Sequence, residues 1–334
     1  MPRTPTLEDV AARAGVSTAT VSRCLNMPEK VVEATRQRVM QAVETLGYAP
    51  NFSARALVAK RTRTIGAVIP TMANAIFAEG IQAFQDVLQA EGYTLLVASS
   101  GYDPKAEAEA IRTLVARGAD GLLLIGFDRD PSLYTFLSTQ EIPAVVAWAY
   151  DAAAPLPSVG FDSRAAMRDL ARHAIGLGHR RIGMISARQT GNDRARARAE
   201  GVAAAMAEAG LGAPLVEETS YGIDEGAAAF ARLIGRNPGL TLVMCGNDVL
   251  AAGAIRGAEA LGFAVPGEIS ITGFDDLELA RLVTPELATV CVPHRAMGEA
   301  AARAILAALA GEAPQARLLP TELRLRASLG SPKT

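Results

Sequence analysis

Seven short apolar runs lie between residues 64 and 276, and longer alanine-rich segments with apolar residues at helical spacing separate most of them. Near-continuous apolar strands that alternate with helices are typical of parallel β-sheets covered by helices on both faces. We therefore predict an α/β protein, with either one large doubly wound sheet or two smaller ones. The seven runs are "IGAVIP", "TLLVASS", "GLLLIG", "PAVVAW", "RIGMIS", "TLVMCGND" and "ISITGFDD".

The first 46 residues follow a different pattern. Residues 7–14 place apolar side chains at helical spacing, Gly15 ends that helix, and Ser17 is a suitable N-cap for a second helix over residues 18–25. A third helix is predicted to end at Gly47. Two short helices joined at a tight turn fit a helix-turn-helix that binds the major groove of DNA, and a generic three-helix bundle is the alternative.

The distribution of charge favours the DNA-binding alternative. Residues 1–63 contain 10 basic and 5 acidic residues, a net charge of +5, whereas the rest of the chain contains 23 basic and 30 acidic residues, a net charge of -7. A basic head on an acidic body indicates that the head binds a polyanion.

Several classes of protein are disfavoured. The three cysteines and three histidines show no metal-ligand, disulfide or catalytic spacing, so we predict no metal and no cofactor. Dinucleotide-binding, P-loop and nucleophile-elbow motifs do not occur, which argues against an enzyme. The sequence shows neither an export signal nor an apolar run that could span a bilayer, so we expect a cytoplasmic protein.

The segment "TLEDVAARAGVSTATVSRCLN" resembles the DNA-binding signature of the lactose repressor/galactose repressor family of bacterial regulators. "RTRTIGAVIP" resembles the start of that family's core, and "GNDVLAAGAIRGAEALGFAVPGEISITGFDD" resembles a later landmark. The resemblance implies a core like that of periplasmic sugar-binding proteins, with two doubly wound parallel-sheet subdomains around a ligand cleft and three crossover segments.

By this resemblance, the headpiece spans residues 1–50, a hinge helix and linker span 51–63, and the core spans 64–334. The N-subdomain then covers about 64–161 and 293–318, and the C-subdomain about 162–290 and 320–330. The C-terminus carries no leucine heptads, so we do not expect a coiled coil that would make tetramers.

The resemblance also implies which residues bind the operator. Thr18 and Ala19 lie where relatives contact bases, and Arg23 could pair with a guanine or contact a phosphate. Leu57 matches a leucine that relatives insert into the minor groove to kink the duplex, and Ala54 beside it permits close approach. The predicted DNA-binding residues are Thr18, Ala19, Thr20, Arg23, Asn26, Asn51, Ala54, Arg55, Leu57 and Lys60.

Ligand-binding residues are expected just beyond the carboxyl ends of the strands, where doubly wound sheets leave a crevice. Asp275 and Arg198 match family positions that bind the effector, and Asp248 is predicted to cap a helix, which leaves Asn247 to face the cleft. Trp148 lies where many relatives have an aspartate, so the usual polar contact is missing, and the tryptophan indicates either an unusual pocket or a side chain that only packs. The predicted ligand-binding residues are Ile76, Phe77, Trp148, Phe161, Arg198, Tyr221, Asn247 and Asp275.

The sequence therefore predicts a homodimeric transcriptional regulator, most simply a repressor, whose binding to a palindromic DNA operator is controlled by a small molecule. The segments "VGFDSRAA" and "PHRAMG" resemble gluconate-responsive relatives, which favours a sugar acid; a neutral sugar and, less well, a purine remain alternatives. The sequence leaves open whether the effector releases or promotes DNA binding. A solute-binding receptor without DNA function is the competing hypothesis.

Overall fold

The computed structural model describes residues 3–49, 61–73 and 75–333, apart from the side chain of Asn26. The described chain divides into two compact units, with the boundary between Thr62 and Arg63. No helix within these ranges is both long and apolar enough to cross a membrane.

The described part of the first unit, residues 3–49 and 61–62, contains three α-helices, as predicted. They are α1 (Leu7–Ala14), α2 (Thr18–Asn26) and α3 (Glu33–Leu46), with a short 3₁₀ turn (Pro28–Lys30) before α3. Thr6 and Asp9 form a reciprocal capping box at the start of α1. Gly15 and Gly47 end α1 and α3 in the left-handed conformation, with φ of 65° and 61°. The buried core of this unit is small, so caps at both ends of short helices matter for its stability.

The second unit contains two parallel sheets, which decides between the two alternatives left by the sequence. The first sheet has the strand order β11-β5-β4-β3-β1-β2 and the second has the order β7-β6-β8-β9. The strands are β1 (Thr64–Ile69), β2 (Thr94–Ser99), β3 (Gly121–Ile125), β4 (Ala144–Ala147), β5 (Ser158–Gly160), β6 (Ile182–Ala187), β7 (Leu215–Thr219), β8 (Leu242–Cys245), β9 (Ser270–Thr272), β10 (Thr289–Cys291), β11 (Arg317–Leu318) and β12 (Glu322–Arg324). Strands β10 and β12 form a separate antiparallel pair.

Helices connect the strands and cover both sheets. They are α4 (Ala78–Ala90), α5 (Pro104–Ala116), α6 (Pro131–Thr139), α7 (Ser163–Gly176), α8 (Asp193–Glu208), α9 (Ile223–Arg236), α10 (Asp248–Ala260), α11 (Leu279–Leu282) and α12 (His294–Leu309). The chain passes between the two sheets after β5, after β10 and after β11, and α12 returns to pack on α4 beside the first sheet.

The structure corrects the strand prediction in two ways. The apolar runs missed β5, β7, β10, β11 and β12, because four of these strands have only two or three residues and β7, "LVEET", contains two glutamates. The run that forms β2 was expected to be buried on both faces, but β2 is an edge strand and leaves Leu96 and Val97 exposed.

Candidate functional site

The exposed face of α2 is the candidate DNA-binding surface of the first unit. Thr18, Ala19 and Arg23 are exposed, whereas Thr20 is half-buried. Ser17 accepts a hydrogen bond from the backbone N–H of Thr20 at 3.2 Å, and the two hydroxyl oxygens lie 2.9 Å apart. This contact fixes the first turn of α2, where the predicted base-contacting side chains begin.

The opposite face of α2 holds the helix in place. Val21 and Cys24 are buried against apolar side chains of α1 and α3, including Val10 and Val39. The small exposed side chains of α2 are therefore presented by a packed core. The predicted contacts of Asn51, Ala54, Arg55, Leu57 and Lys60 lie outside the described residues, as does the side chain of Asn26.

In the second unit, the carboxyl ends of strands from both sheets converge on a small cavity of about 20 Å³. Ligand pockets span about 300 to 1,000 Å³, so the two walls must separate before a ligand the size of a monosaccharide can enter. The lining residues are Ile76, Phe77, Tyr102, Trp148, Phe161, Arg194, Arg198, Tyr221 and Asp275. The structure thus brings together all the predicted ligand-binding residues except Asn247.

The first sheet supplies an aromatic wall to this cavity. Phe77 follows β1, Trp148 follows β4 and Phe161 follows β5, and all three side chains are buried. The rings of Phe77 and Trp148 meet edge to face, with centroids 5.2 Å apart. Aromatic pairs of this kind bury large areas with few rotatable bonds, so the wall has a fixed shape.

The packing around Trp148 fixes the position of its indole ring. Its backbone is in the left-handed region, with φ of 60°, and its side chain is only 2% exposed. A Cβ added at Gly80 of α4 would lie 2.6 Å from the indole ring, so only glycine leaves room for the ring there. The indole Nε1–H is buried and has no hydrogen-bond partner in the described part of the chain.

The second sheet supplies a charged wall. Arg194 and Arg198 lie one turn apart on α8 and are both buried. Arg194 pairs with the neighbouring Asp193 at 2.9 Å, whereas Arg198 donates a hydrogen bond of 3.2 Å to the hydroxyl of Tyr221. The Arg198 guanidinium also lies over the ring of Phe274, 4.9 Å from its centroid.

The positive charge of Arg198 is less well balanced by its neighbours than that of Arg194. Its side chain is held by a phenol and an aromatic face, and its Nε–H has no partner among the described residues. A buried guanidinium is costly unless it is paired and hydrogen-bonded. A carboxylate in the cavity would provide that pairing.

Asp275 completes the charged wall. Its backbone has φ of 108° and its side chain is buried. Burial raises the pKa of the Asp275 carboxyl, and the positive fields of His294, Arg198 and Arg194 oppose that shift. The carboxyl group is therefore more easily protonated than an exposed aspartate.

The prediction that Asp248 caps the next helix and leaves Asn247 to face the cleft was wrong. Asn247 is the N-cap of α10, because its side-chain oxygen accepts the backbone N–H of Leu250 at 2.9 Å. Asp248 is the first helical residue and binds Leu277 and Thr289 with its two carboxylate oxygens. The side-chain nitrogen of Asn247 is buried without a partner in the described structure, and Asn247 does not line the cavity.

Tyr102 and Arg194 are cavity residues that the sequence interpretation missed. Tyr102 follows β2, and its ring lies 5.4 Å from that of Tyr221 on the opposite wall. Burial raises the pKa of the Tyr102 phenol, and the neighbouring Tyr221 adds to the shift. Both residues could have been found from the sequence, since Tyr102 lies two positions after an apolar run and Arg194 lies four positions before Arg198.

Residues 6–51 match the family described as "Bacterial regulatory proteins, lacI family", and residues 62–326 match "Periplasmic binding proteins and sugar binding domain of LacI family". The chain belongs to the LacI family. It is therefore a DNA-binding transcriptional regulator with a sugar-binding domain, and not an enzyme. The family resemblance, the fold class and the class of function predicted from the sequence are confirmed, and the match to the headpiece decides against a receptor without DNA function.

Individual relatives agree with this assignment. The chain is 34% identical to the "HTH-type transcriptional regulator GntR" of Pseudomonas aeruginosa, over 92% of this chain and 90% of the relative. It superposes with a TM-score of 0.90 on a LacI family transcriptional regulator from Silicibacter pomeroyi, at 28% identity over 98% of this chain and 99% of that one. The lac repressor dimer, solved with operator and the anti-inducer ONPF, gives a TM-score of 0.86 at 25% identity, over 98% and 100% of the two chains.

Proposed function

We propose that this LacI family member is a cytoplasmic repressor that binds a palindromic operator as a homodimer and responds to a sugar acid in the core cavity. The lac repressor, solved as a dimer bound to operator, supports the dimer and the operator. Two identical headpieces related by a two-fold axis match two half-sites of opposite orientation. The division of the core into N- and C-subdomains at the boundaries given above is part of this proposal.

Operator recognition is assigned to α2 and to the hinge. The exposed Thr18 and Arg23 can hydrogen-bond to base edges, and Ala19 can contact only an apolar group such as a thymine methyl. Leu57 is proposed to wedge into a base step from the minor groove. Leu57→Ala should then abolish specific binding but leave salt-sensitive, non-specific binding largely intact; equal loss of both would refute the wedge.

The pair of buried arginines in the cavity is the single observation that carries the ligand class. Arg194 and Arg198 face a cavity whose aromatic wall has a tryptophan with an unpartnered Nε1–H. Arg198 Nε–H is likewise unpartnered among the described residues, so both unpaired groups that line the cavity are donors. Acceptors arranged as in a carboxylate would satisfy them, while Asp275 can accept from ligand hydroxyls.

The lining of the cavity also fits a second class of ligand. A neutral monosaccharide is the second candidate, because aromatic rings beside an aspartate are typical of sites that bind uncharged sugars.

Control of DNA binding requires that the ligand favour one core state. Closure of the two sheets around the cavity is proposed to shift the relative position of the two hinge segments in the dimer. A 10- to 100-fold difference in ligand affinity between the core states corresponds to about 1.4 to 2.7 kcal/mol of coupling.

The test is DNA binding by the full chain, measured by fluorescence anisotropy on DNA from upstream of its own gene. D-Gluconate, D-glucose and a purine base are added in separate titrations. We expect D-gluconate to change the operator affinity at least about tenfold, in either direction, with little effect of the other two. A response to D-glucose alone would show that the effector is a neutral sugar and not a sugar acid. Specific DNA binding that no small molecule changes would refute ligand control.

A further inference from the structure

Two polar contacts join the two halves of the core at the rim of the cavity without lining it. Asp128, in the loop after β3, receives two hydrogen bonds from Arg196 of α8, with N–O distances of 2.9 and 2.8 Å. The backbone N–H of Phe127 donates to the carboxylate of Asp193 at 2.6 Å. One partner in each contact belongs to the first sheet and the other to the second, and none of the four residues lines the cavity.

The local backbone allows the loop after β3 to lie close to α8. Gly126, with φ of 68°, leads from β3 into the loop, and a Cβ there would collide with the side chains of Arg194 and Asp193. The ion pair raises the pKa of Arg196, chiefly through its hydrogen bonds to Asp128. A fork-to-fork arginine–carboxylate pair has a strict geometry, so it forms only at one separation of the two halves.

We propose that Phe127, Asp128, Asp193 and Arg196 form a closing latch that stabilises the closed cleft in the absence of ligand. The closed cavity holds only about 20 Å³, so ligand can enter only when the latch opens. The latch therefore raises the concentration of effector needed for a response. It rests on the proposed function only in taking this cavity to be the effector site. The latch exists in the closed form alone, because opening the cleft separates Arg196 from Asp128.

The expected size of the effect of breaking the latch follows from the solvent exposure of its ion pair. Both side chains of the pair are partly exposed, at 41% for Arg196 and 29% for Asp128, so solvent screens their attraction. Loss of such a pair should change the ratio of closed to open protein by a factor of about two to five. Effector affinity should strengthen by up to the same factor, although neither residue lines the cavity.

The experiment uses acrylamide quenching of Trp148 fluorescence in the full chain without ligand. Trp148 is the sole tryptophan of the sequence and lines the cavity, so opening the cleft should expose it. We expect Asp128→Asn and Arg196→Gln to increase quenching. The charge-swapped double variant, Asp128→Arg with Arg196→Asp, should return quenching toward the wild-type value.

Asp224→Asn is the matched control. Its partner Arg256 lies 2.7 Å away, and that pair joins α9 and α10 on the same side of the cleft. Asp224→Asn should leave quenching unchanged, and an Asp128→Asn variant that behaves like it would overturn the latch. The readout needs no ligand: if D-gluconate fails to bind the wild type while quenching still separates the variants, the proposed ligand is wrong and the latch stands.

Discussion

The two walls of the cavity differ in kind. The wall from the first sheet is apolar and aromatic, and its side chains continue into a large hydrophobic core. The wall from the second sheet consists of arginine, tyrosine and aspartate side chains held by few polar contacts. The two sheets have the same parallel topology, so the difference lies in the residues that follow the strands.

The two walls therefore have different roles in ligand recognition: one sets the shape of the site and the other sets its charge. The aromatic wall limits the size of the ligand and supplies contact area, because its rings are fixed by packing. The charged wall selects the chemical class, because buried charges without full compensation are satisfied only by a complementary ligand. Substitutions on the two walls should therefore have distinguishable effects.

The largest effect is expected on the charged wall. Arg198→Ala should weaken D-gluconate binding on the order of 100-fold, because it removes one partner of a buried charged contact, and should leave operator binding without ligand intact. Isothermal titration calorimetry and fluorescence anisotropy measure the two properties. Arg256→Ala, on the exposed face of α10, is the control. A normal ligand response in Arg198→Ala would remove Arg198 from the effector site.

The next largest effect is expected on the glycine contact that supports the aromatic wall, and it should appear in protein stability. A Cβ at Gly298 of α12 would collide with the carbonyl of Gly80, behind the Trp148 ring. Gly298→Ala should therefore lower the free energy of unfolding by about 1 to 3 kcal/mol in urea denaturation. Gly235→Ala in α9 is the matched control, because a Cβ there meets nothing within 4 Å. Equal stability of the two variants would show that α4 and α12 can separate at little cost.

The indole Nε1–H of Trp148 should make a smaller, specific contribution. Trp148→Phe keeps an aromatic ring but removes the donor, and should weaken D-gluconate binding about 2- to 10-fold, the value of one net hydrogen bond. Calorimetry on the wild type and the variant gives the ratio, and thermal unfolding checks that the fold is retained. Unchanged affinity would mean that the aromatic wall contributes shape only.

The smallest effect concerns the protonation of Asp275. Because burial raises the pKa of Asp275 above its ordinary 3.8, the folded state binds the proton more tightly than the unfolded state. Stability from this group is present below pH 3.8 and is lost as the pH rises through the folded-state pKa. Asp275→Asn should make the fall of Tm above about pH 4 shallower.

Asp130→Asn provides a control of opposite sign for this measurement. The hydrogen bonds from Ser132 lower the pKa of Asp130, so its contribution is present above the unfolded-state pKa and is lost as the pH falls. If Asp275→Asn followed the wild-type pH profile, the Asp275 carboxyl would be fully compensated in the folded state.

The sequence predicted the parts of the molecule that depend on local patterns. The three headpiece helices, the main strands and the convergence of strand ends follow from apolar periodicity, caps and topology. It assigned the cap of α10 to Asp248 instead of Asn247, because either side chain can accept the same backbone hydrogen bonds and the choice depends on the distant Thr289. The proximity of Tyr102 to Tyr221 likewise depends on how two sheets meet, which no local pattern records.

The central claim, that the cavity selects a carboxylate, is tested most directly with two ligands that differ only at that group. D-Gluconate and D-glucitol have the same hydroxylated chain, with a carboxylate in one and a primary alcohol in the other. Calorimetric titration of both into the full chain should give D-gluconate an affinity at least about 100-fold higher, and Arg198→Ala should remove most of that difference. Equal affinities for the two ligands in the wild-type protein would contradict the claim.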